Sequence, residues 1–120
     1  ESFHGGIISY SNHVKENQLN VAHETLITHG AVSEETAKEM AIGVRKNLGT
    51  SIGLSSTGIA GPSGGTKEKP VGLVFIGYSD KKITFARKFL FGKNRTMNKI
   101  RSSQAALNLI YKELLKENIT

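Results

Sequence analysis

Residues 71–78 read VGLVFIGY, an almost unbroken apolar run of the length of a β-strand. Successive side chains of a strand point to opposite faces of a sheet, so a strand that is apolar throughout is covered on both faces. The polar turn DKK at residues 80–82 follows, and then a second β-prone run, ITFARKFLF at residues 83–91. The two runs predict a hairpin within a sheet that has helices packed against it.

The clearest helix signal lies upstream of this hairpin. Ser33 is a good N-cap residue, and the acidic pair at residues 34–35 suits the positive end of a helix. Apolar residues then recur at helical spacing up to Leu48, and Gly49 ends the helix. A weaker helical turn at residues 21–27 is closed by the His-Gly pair at residues 29–30.

The remaining elements are shorter strands and a final helix. Residues 7–10 and 51–55 indicate strands, and Thr96 is a candidate cap of the last helix. An apolar stripe on that helix is formed by Ile100, Leu107, Ile110, Tyr111, Leu114 and Leu115. This order predicts one α/β domain over residues 1–120, a three-layer α/β/α arrangement around a mixed, mostly parallel sheet.

Composition excludes several functional classes. The 120 residues contain no cysteine, which removes disulfides, thiolate nucleophiles and cysteine metal sites. There is no apolar run of the ~20 residues that a membrane span needs and no export leader, so we expect a cytoplasmic protein that does not cross a membrane. The net charge of +6 favours an anionic partner. Because no aromatic ladder accompanies the basic residues, a phosphorylated small molecule is favoured over nucleic acid.

A glycine-rich loop, STGIAGPSGGT at residues 56–66, lies between two predicted strands. Ligands of α/β sheets commonly bind at such crossovers, where glycines let backbone amides approach a phosphate or a carbonyl oxygen. The loop matches neither the Walker nor the dinucleotide fingerprint, so a flexible surface crossover is an equally good interpretation from spacing alone. The candidate binding residues here are Thr57, Gly58, Ile59, Ala60, Gly61, Gly64 and Gly65.

Three further residues are candidates on chemical grounds. Tyr10 ends a predicted strand and Lys15 follows it closely, so a desolvated lysine there could act as a base. Arg95 precedes the last helix and could bind a phosphate near the N-terminus of that helix. Taken singly, each residue is more simply explained as a strand anchor or a solvated charge. The four histidines lack metal-ligand spacing, so we expect no metal and no cofactor.

Four segments in order resemble one family: GGIISYSN at residues 5–12, HGAVSEE at 29–35, TGIAGP at 57–62 and EKPVG at 68–72. That family is the C-terminal domain of the competence/damage-inducible protein CinA, whose stand-alone members are nicotinamide-nucleotide amidases. The resemblance implies hydrolysis of the carboxamide of nicotinamide mononucleotide to nicotinate mononucleotide and ammonia. It also implies that Lys15 takes the proton of a serine and that Tyr10 assists. Thr57 would hold the oxyanion with neighbouring amides, and Arg95 would bind the phosphate.

The resemblance also implies what is missing. Counting back from Tyr10 places the family's catalytic serine before Glu1, which leaves an N-terminally incomplete domain with Ser2 as a weak substitute. The chain would then bare a sheet edge and an apolar face. Either it is a fragment or a partner chain covers the gap, and the resemblance leaves the activity of this truncated chain open. The expected partners are a nucleotide substrate, further copies of the chain and an upstream pyrophosphatase domain. The alternative function is a nucleotide- or DNA-linked accessory domain without catalysis.

Overall fold

The computed structural model describes the backbone of residues 20–59, 61 and 63–119, and the side chains of these residues as far as Lys116. Tyr10, Lys15, Ala60 and the strand predicted at residues 7–10 lie outside the described residues. The described elements, in chain order, are α1 (His23–His29), α2 (Glu34–Leu48), β1 (Gly53–Gly58), β2 (Leu73–Ser79), β3 (Thr84–Leu90) and α3 (Arg95–Ile119).

Helix α2 forms where the local signals predict it. The Ser33 side chain accepts a hydrogen bond from the Thr36 backbone N–H at 3.2 Å, which satisfies one of the unpaired amides of the first turn. Gly49 adopts φ 64°, a left-handed conformation that ends the helix at low steric cost. The prediction for residues 34–48 is therefore confirmed. The predicted turn at residues 21–27 is also confirmed as α1, which Gly30 caps.

The sheet corrects the predicted fold class. Its three strands have the order β1-β2-β3, and both pairs are antiparallel, so the prediction of a mixed, mostly parallel sheet is wrong for the described residues. Parallel neighbours need a crossover connection that carries the chain back along the sheet, usually as a helix. Residues 59–72 contain no helix in the part of the chain described, and they join β1 to β2 at the same end of the sheet. The apolar run at residues 71–78 does identify the central strand, β2.

Helices pack on both faces of this sheet. Helix α2 lies against small residues: the Ser55 hydroxyl donates to the Ala37 carbonyl at 2.7 Å, and a Cβ added at Gly77 would collide with that same carbonyl oxygen. On the other face, Val74 and Ile76 form a buried cluster with Leu109 of α3. At Ser55 and Gly77 the side chain is small or absent, which lets the backbone of α2 lie directly on the strands there.

Helix α3 does not use the predicted stripe to contact the sheet. Its buried positions are Asn98 and Leu109, and Ala105 and Ala106 pack beside them. Leu107 and Tyr111, which belong to the predicted stripe, are 66% and 64% exposed. Most of the stripe therefore faces away from the sheet, whereas Ile110 is half-buried. None of the helices in the described part of the chain has the length and hydropathy of a membrane span.

The turn between β2 and β3 is held by Asp80. Its carboxylate accepts hydrogen bonds from the Tyr78 hydroxyl at 2.8 Å and from the backbone N–H groups of Lys82 and Ile83 at 2.8 and 2.9 Å. Burial raises the pKa of Asp80, but these hydrogen bonds and the nearby Lys82 charge lower it more, so the pKa lies below its ordinary value of 3.8. The turn predicted at residues 80–82 is confirmed.

Candidate active site at one end of the sheet

The glycine-rich loop and the starts of two helices meet at one end of the sheet. Strand β1 ends at Gly58 and β2 begins at Leu73, so residues 59–72 lie beyond this end. The Thr57 hydroxyl contacts the Ala31 carbonyl just before α2, and Arg95, the first residue of α3, contacts the Gly61 carbonyl. The positive ends of both helix dipoles thus lie at the end of the sheet where the loop lies.

Two glycines in the loop are required by its geometry. Gly61 has φ 90°, and a Cβ there would lie 2.5 Å from Cγ1 of Val71. Gly72 has φ 96°, and a Cβ there would lie 2.5 Å from the carbonyl oxygens of Phe91 and Gly92. Any side chain at either position would need both a left-handed backbone and a displaced neighbour, so the loop's path depends on these two residues.

Hydrogen bonds extend the strand pairing into the loop. The Gly72 N–H donates to the Ile59 carbonyl at 2.7 Å, and the Phe91 N–H donates to the Gly72 carbonyl at 2.8 Å. The base of the loop is therefore ordered by the sheet, while residues 63–68 are exposed beyond it. Backbone amides on a rigid base can present a fixed geometry to a ligand.

Thr57 occupies a position different from the one its predicted role suggests. It is 7% exposed, and its hydroxyl donates to the Ala31 carbonyl at 2.8 Å, on the sheet face that α2 covers. A hydroxyl has a single proton to donate, so in this state that proton is already committed. The predicted oxyanion contact stays a prediction, and it requires the Thr57–Ala31 hydrogen bond to break.

Arg95 lies at the N-terminal end of α3, and its predicted phosphate contact stays a prediction. One guanidinium N–H, on Nη1, donates to the Gly61 carbonyl at 3.2 Å, and the side chain is exposed. The cap of α3 is Asn94 rather than Thr96, because Asn94 Oδ1 accepts from the Met97 N–H at 3.0 Å. The first turn of α3 contains no acidic residue. The sequence places Lys93, Arg95, Lys99 and Arg101 within or beside the first two turns.

Lys69 is a functional candidate that the sequence reasoning missed. Its ammonium donates to the His29 carbonyl at 2.6 Å, at the C-terminal end of α1. The only available signal was its place in the EKPVG segment, since a contact across 40 residues leaves no local pattern. Together with the contacts of Thr57 and Arg95, that of Lys69 ties residues 57–69 to their surroundings at three separate points.

A cavity of about 710 Å³ opens beside this end of the sheet, between β1 and α3. Gly58, a predicted binding residue, lines it together with Ser56 and Val74 of the sheet and Asn98, Ser102 and Ser103 of α3. Asn98 is 1% exposed and its amide donates to the Gly92 carbonyl at 2.8 Å. The cavity lies on the face opposite to the Thr57 hydroxyl, because adjacent strand residues point to opposite sides.

The structure brings together only part of the predicted site. Gly58, Ile59, Gly61, Gly64, Gly65 and Arg95 lie at one end of the sheet, whereas Tyr10, Lys15 and Ala60 lie outside the described residues. No group of three or more histidine or carboxylate side chains in the described part of the chain could hold a metal ion.

Comparison with known proteins identifies the family. The profile of the CinA C-terminal domain matches residues 1–114. A protein of Clostridium tetani that is named as a competence-damage inducible protein is 54% identical over 110 residues, covering 92% of this chain and 27% of its own length. A CinA-like protein of Chloroherpeton thalassium is 50% identical over 117 residues, with 94% of this chain and 28% of the relative covered.

Solved structures agree with this result. The competence/damage inducible protein of Agrobacterium tumefaciens superposes with a TM-score of 0.84 at 36% identity, covering 87% of this chain and 64% of that one. The competence damage-inducible protein A of Klebsiella pneumoniae gives a TM-score of 0.83 at 30% identity, with 88% and 66% covered. The chain thus spans little more than a quarter of the length of the curated relatives it matches and about two thirds of these structures. By sequence and by fold, this chain belongs to the CinA C-terminal domain family.

Proposed function

We propose that this chain is part of a nicotinamide mononucleotide deamidase, which hydrolyses the nicotinamide carboxamide to a carboxylate and ammonia. The observation that carries the proposal is the contact between Arg95, at the start of α3, and the Gly61 carbonyl of the glycine-rich loop. The contact brings an arginine at a helix N-terminus next to an amide-rich loop. This arrangement supports the proposal, because the arginine would bind the phosphate of the nucleotide and the loop would hold its carboxamide.

Arg95 and the N-terminal end of α3 would bind the phosphate half of the substrate. A helix N-terminus attracts anions through its unpaired N–H groups and its dipole, and α3 begins without an acidic residue to neutralise that field. Arginine has five N–H donors, and the contact with Gly61 uses one of them, so bidentate binding of a phosphate remains available. The +6 charge of the chain favours encounter with an anionic substrate.

The carboxamide half would lie against the loop. In amide hydrolysis, negative charge develops on the carbonyl oxygen, and fixed N–H donors stabilise it. The loop supplies backbone donors on an ordered base, with Gly61 and Gly64 at positive φ. Lys15, Tyr10 and Thr57 keep the roles that the family resemblance implies: the lysine as base, and the two hydroxyls as assisting groups. These catalytic roles are part of the proposal.

Calorimetric titration of this chain tests the binding half of the proposal. We expect nicotinamide mononucleotide to bind and Arg95→Met to weaken binding by about 10- to 100-fold, the range for losing a charged hydrogen-bonding pair. Arg87→Met is the matched control: it removes one positive charge from an arginine that stacks on Phe85, away from the loop. Nicotinamide riboside, which lacks the phosphate, should bind wild type and Arg95→Met equally weakly.

Ammonia release from nicotinamide mononucleotide tests the catalytic half in a protein that also carries the segment with the family's serine, and Lys15→Ala in that protein should abolish turnover. The accessory-domain alternative makes a different prediction. It would be favoured by DNA binding that weakens steeply with salt, with no preference for the nucleotide and no ammonia. Equal binding of the mononucleotide by wild type and Arg95→Met would contradict the proposed site.

A further inference from the structure

Strand β3 has an open edge in the part of the chain that the structure describes. It is the last strand in the sheet order, and its pairing there is with β2. The Phe91 N–H donates to the Gly72 carbonyl just beyond the end of the strand. Bonded positions alternate along an antiparallel pair, so the odd-numbered residues of β3 bond to β2. The N–H and C=O groups of Ala86, Lys88 and Leu90 therefore point to the open side.

A groove of about 280 Å³ lies between this edge strand and α3. Its floor contains Phe89 and Phe91, which are half-buried and stack with their ring centroids 5.6 Å apart. Both rings pack on the sheet face that also contacts Leu109 of α3. A third ring, that of Phe85, is covered by the guanidinium of Arg87 at 4.4 Å. The groove thus has an apolar floor of two rings beside the open edge.

The wall of the groove is a row of exposed polar side chains on α3. They recur every three or four residues, so they lie along one side of the helix; they are Arg101, Gln104, Asn108 and Lys112. The row is about 16 Å long at 1.5 Å per residue, with a cation at each end and two amides between them. None of the described residues that line this groove is acidic. The groove therefore favours a ligand with two negative charges separated by an apolar group.

An extended peptide matches both the edge and the groove. Alternate residues of a strand share one face, so the first and fifth residues of a segment lie about 13 Å apart on that face. Acidic side chains at these two positions would reach Arg101 and Lys112. An apolar side chain at the third position would lie on Phe89 and Phe91. The backbone of the peptide would meanwhile pair with the open edge of β3.

Two other occupants fit less well. Both charged residues of β3, Arg87 and Lys88, are positive, so pairing the β3 edges of two copies would bring like charges together. A nucleic acid fits the charge but not the edge. Its phosphates only accept hydrogen bonds, whereas the edge presents N–H donors and carbonyl acceptors in alternation, as another strand requires.

We propose that β3 and the adjoining groove bind an extended acidic segment of a different protein, which adds a strand to the sheet. On the side that faces α3, the segment has an acidic, an apolar and an acidic side chain at alternate positions. The proposal does not depend on the proposed enzymatic function, because it uses no residue of the glycine-rich loop.

NMR titration of the ¹⁵N-labelled chain with the capped peptide Glu-Thr-Phe-Thr-Glu tests the binding mode. We expect saturable shifts with a dissociation constant of roughly 0.1–1 mM. The outward-pointing amides of Ala86, Lys88 and Leu90 should shift more than the inward-pointing amides of Arg87 and Phe89. An absence of shifts at about 2 mM peptide, or shifts that do not alternate along β3, overturns the proposal.

Two N-methylated peptides test the backbone pairing. One is methylated on both threonines, and the other on the remaining three residues. Only every second N–H of a strand faces its neighbour, so one of these peptides should bind at least about 10-fold more weakly than the other. Equal binding of the two peptides would show that no strand is added, and would overturn the proposal.

Charge variants test the recognition of the acidic side chains. The double variant Arg101→Gln/Lys112→Gln should bind the peptide at least about 5-fold more weakly than wild type, the range for two partly exposed ion pairs. Lys46→Gln/Lys67→Gln is the matched control, because it removes two exposed lysines outside the groove. The uncharged peptide Gln-Thr-Phe-Thr-Gln should bind wild type and Arg101→Gln/Lys112→Gln equally weakly.

Two results of these measurements would overturn the proposal. One is binding of Glu-Thr-Phe-Thr-Glu that Arg101→Gln/Lys112→Gln leaves unchanged. The other is a thymidine oligonucleotide that binds wild type more tightly than the peptide and is weakened by the same double variant, because that result would assign the groove to nucleic acid.

Discussion

Replacing Lys69 with methionine should loosen the glycine-rich loop while leaving the fold intact. The substitution keeps most of the aliphatic side chain but removes the ammonium that donates to the His29 carbonyl at 2.6 Å. That carbonyl lies at the C-terminal end of α1, where a positive charge also interacts favourably with the helix dipole.

The magnitude follows from the type of contact. A hydrogen bond to a charged group contributes about 1.5–3 kcal/mol, and the partial exposure of Lys69 reduces this to about 1 kcal/mol. For a chain of this size, that loss lowers the melting temperature by roughly 3–5 °C. Because the contact joins the loop to α1, the amides of residues 61 and 63–66 should also exchange with solvent more quickly.

Thermal unfolding followed by circular dichroism and hydrogen exchange followed by mass spectrometry provide the two measurements. Lys67→Met is the matched control, because Lys67 is an exposed lysine in the same loop and its loss changes the charge equally. Lys69→Arg should restore most of the protection. If Lys69→Met melts within about 1 °C of wild type and its loop exchanges at the wild-type rate, the reasoning that Lys69 anchors the loop is refuted.

Three further predictions test the fold and the pH response. Gly77→Ala should destabilise the protein by about 1–3 kcal/mol in urea unfolding, because the added methyl group collides with the Ala37 carbonyl; an unchanged midpoint would disprove the close approach of α2. Ser33→Ala should cost about 1 kcal/mol in the same assay by removing the cap of α2, and Ser33→Gly should cost less. The pKa of Asp80 is lowered by folding, so its stabilising effect is present above its unfolded pKa and is lost as the pH falls through the folded value. The melting temperature of wild type should therefore fall further between about pH 6 and about pH 3 than that of Asp80→Asn. An equal fall in the two proteins would show that Asp80 does not contribute.

The elements that could be predicted from sequence are those whose signals are local. The cap at Ser33, the stop at Gly49 and the turn at residues 80–82 each depend on contacts within a few residues. The central position of β2 was also predictable, because burial on both faces leaves an unbroken apolar run. Strand direction was not, since an apolar run reads the same whether its neighbours are parallel or antiparallel.

The orientation of α3 shows a second limit. Its large residues form the more visible stripe, yet the helix packs on the sheet through Asn98, Ala105 and Leu109. Hydrophobic periodicity finds an apolar face but does not tell whether the sheet or another partner covers it. Here Leu109 and two alanines make the inner contacts, and the larger outer residues Leu107 and Tyr111 stay exposed.

The candidate site was predictable in its location but not in its contacts. The glycine-rich loop and Arg95 were recognised by residue type, and the structure places them together. The hydrogen bonds of Thr57 to Ala31 and of Lys69 to His29 span 26 and 40 residues. Contacts at such separations are set by the tertiary fold, so the sequence pattern gave no sign of the Thr57–Ala31 hydrogen bond and no reason to single out Lys69.

Whether a phosphorylated nucleotide binds between Arg95 and the glycine-rich loop can be tested most directly by NMR titration of the ¹⁵N-labelled chain with nicotinamide mononucleotide. We expect saturable shifts of the amide signals of Gly61, Gly64 and Gly65 and of Met97 in the first turn of α3, with far smaller shifts from nicotinamide riboside at equal concentration. Saturable shifts confined to other parts of the protein, or an absence of shifts at millimolar nucleotide, would contradict the site.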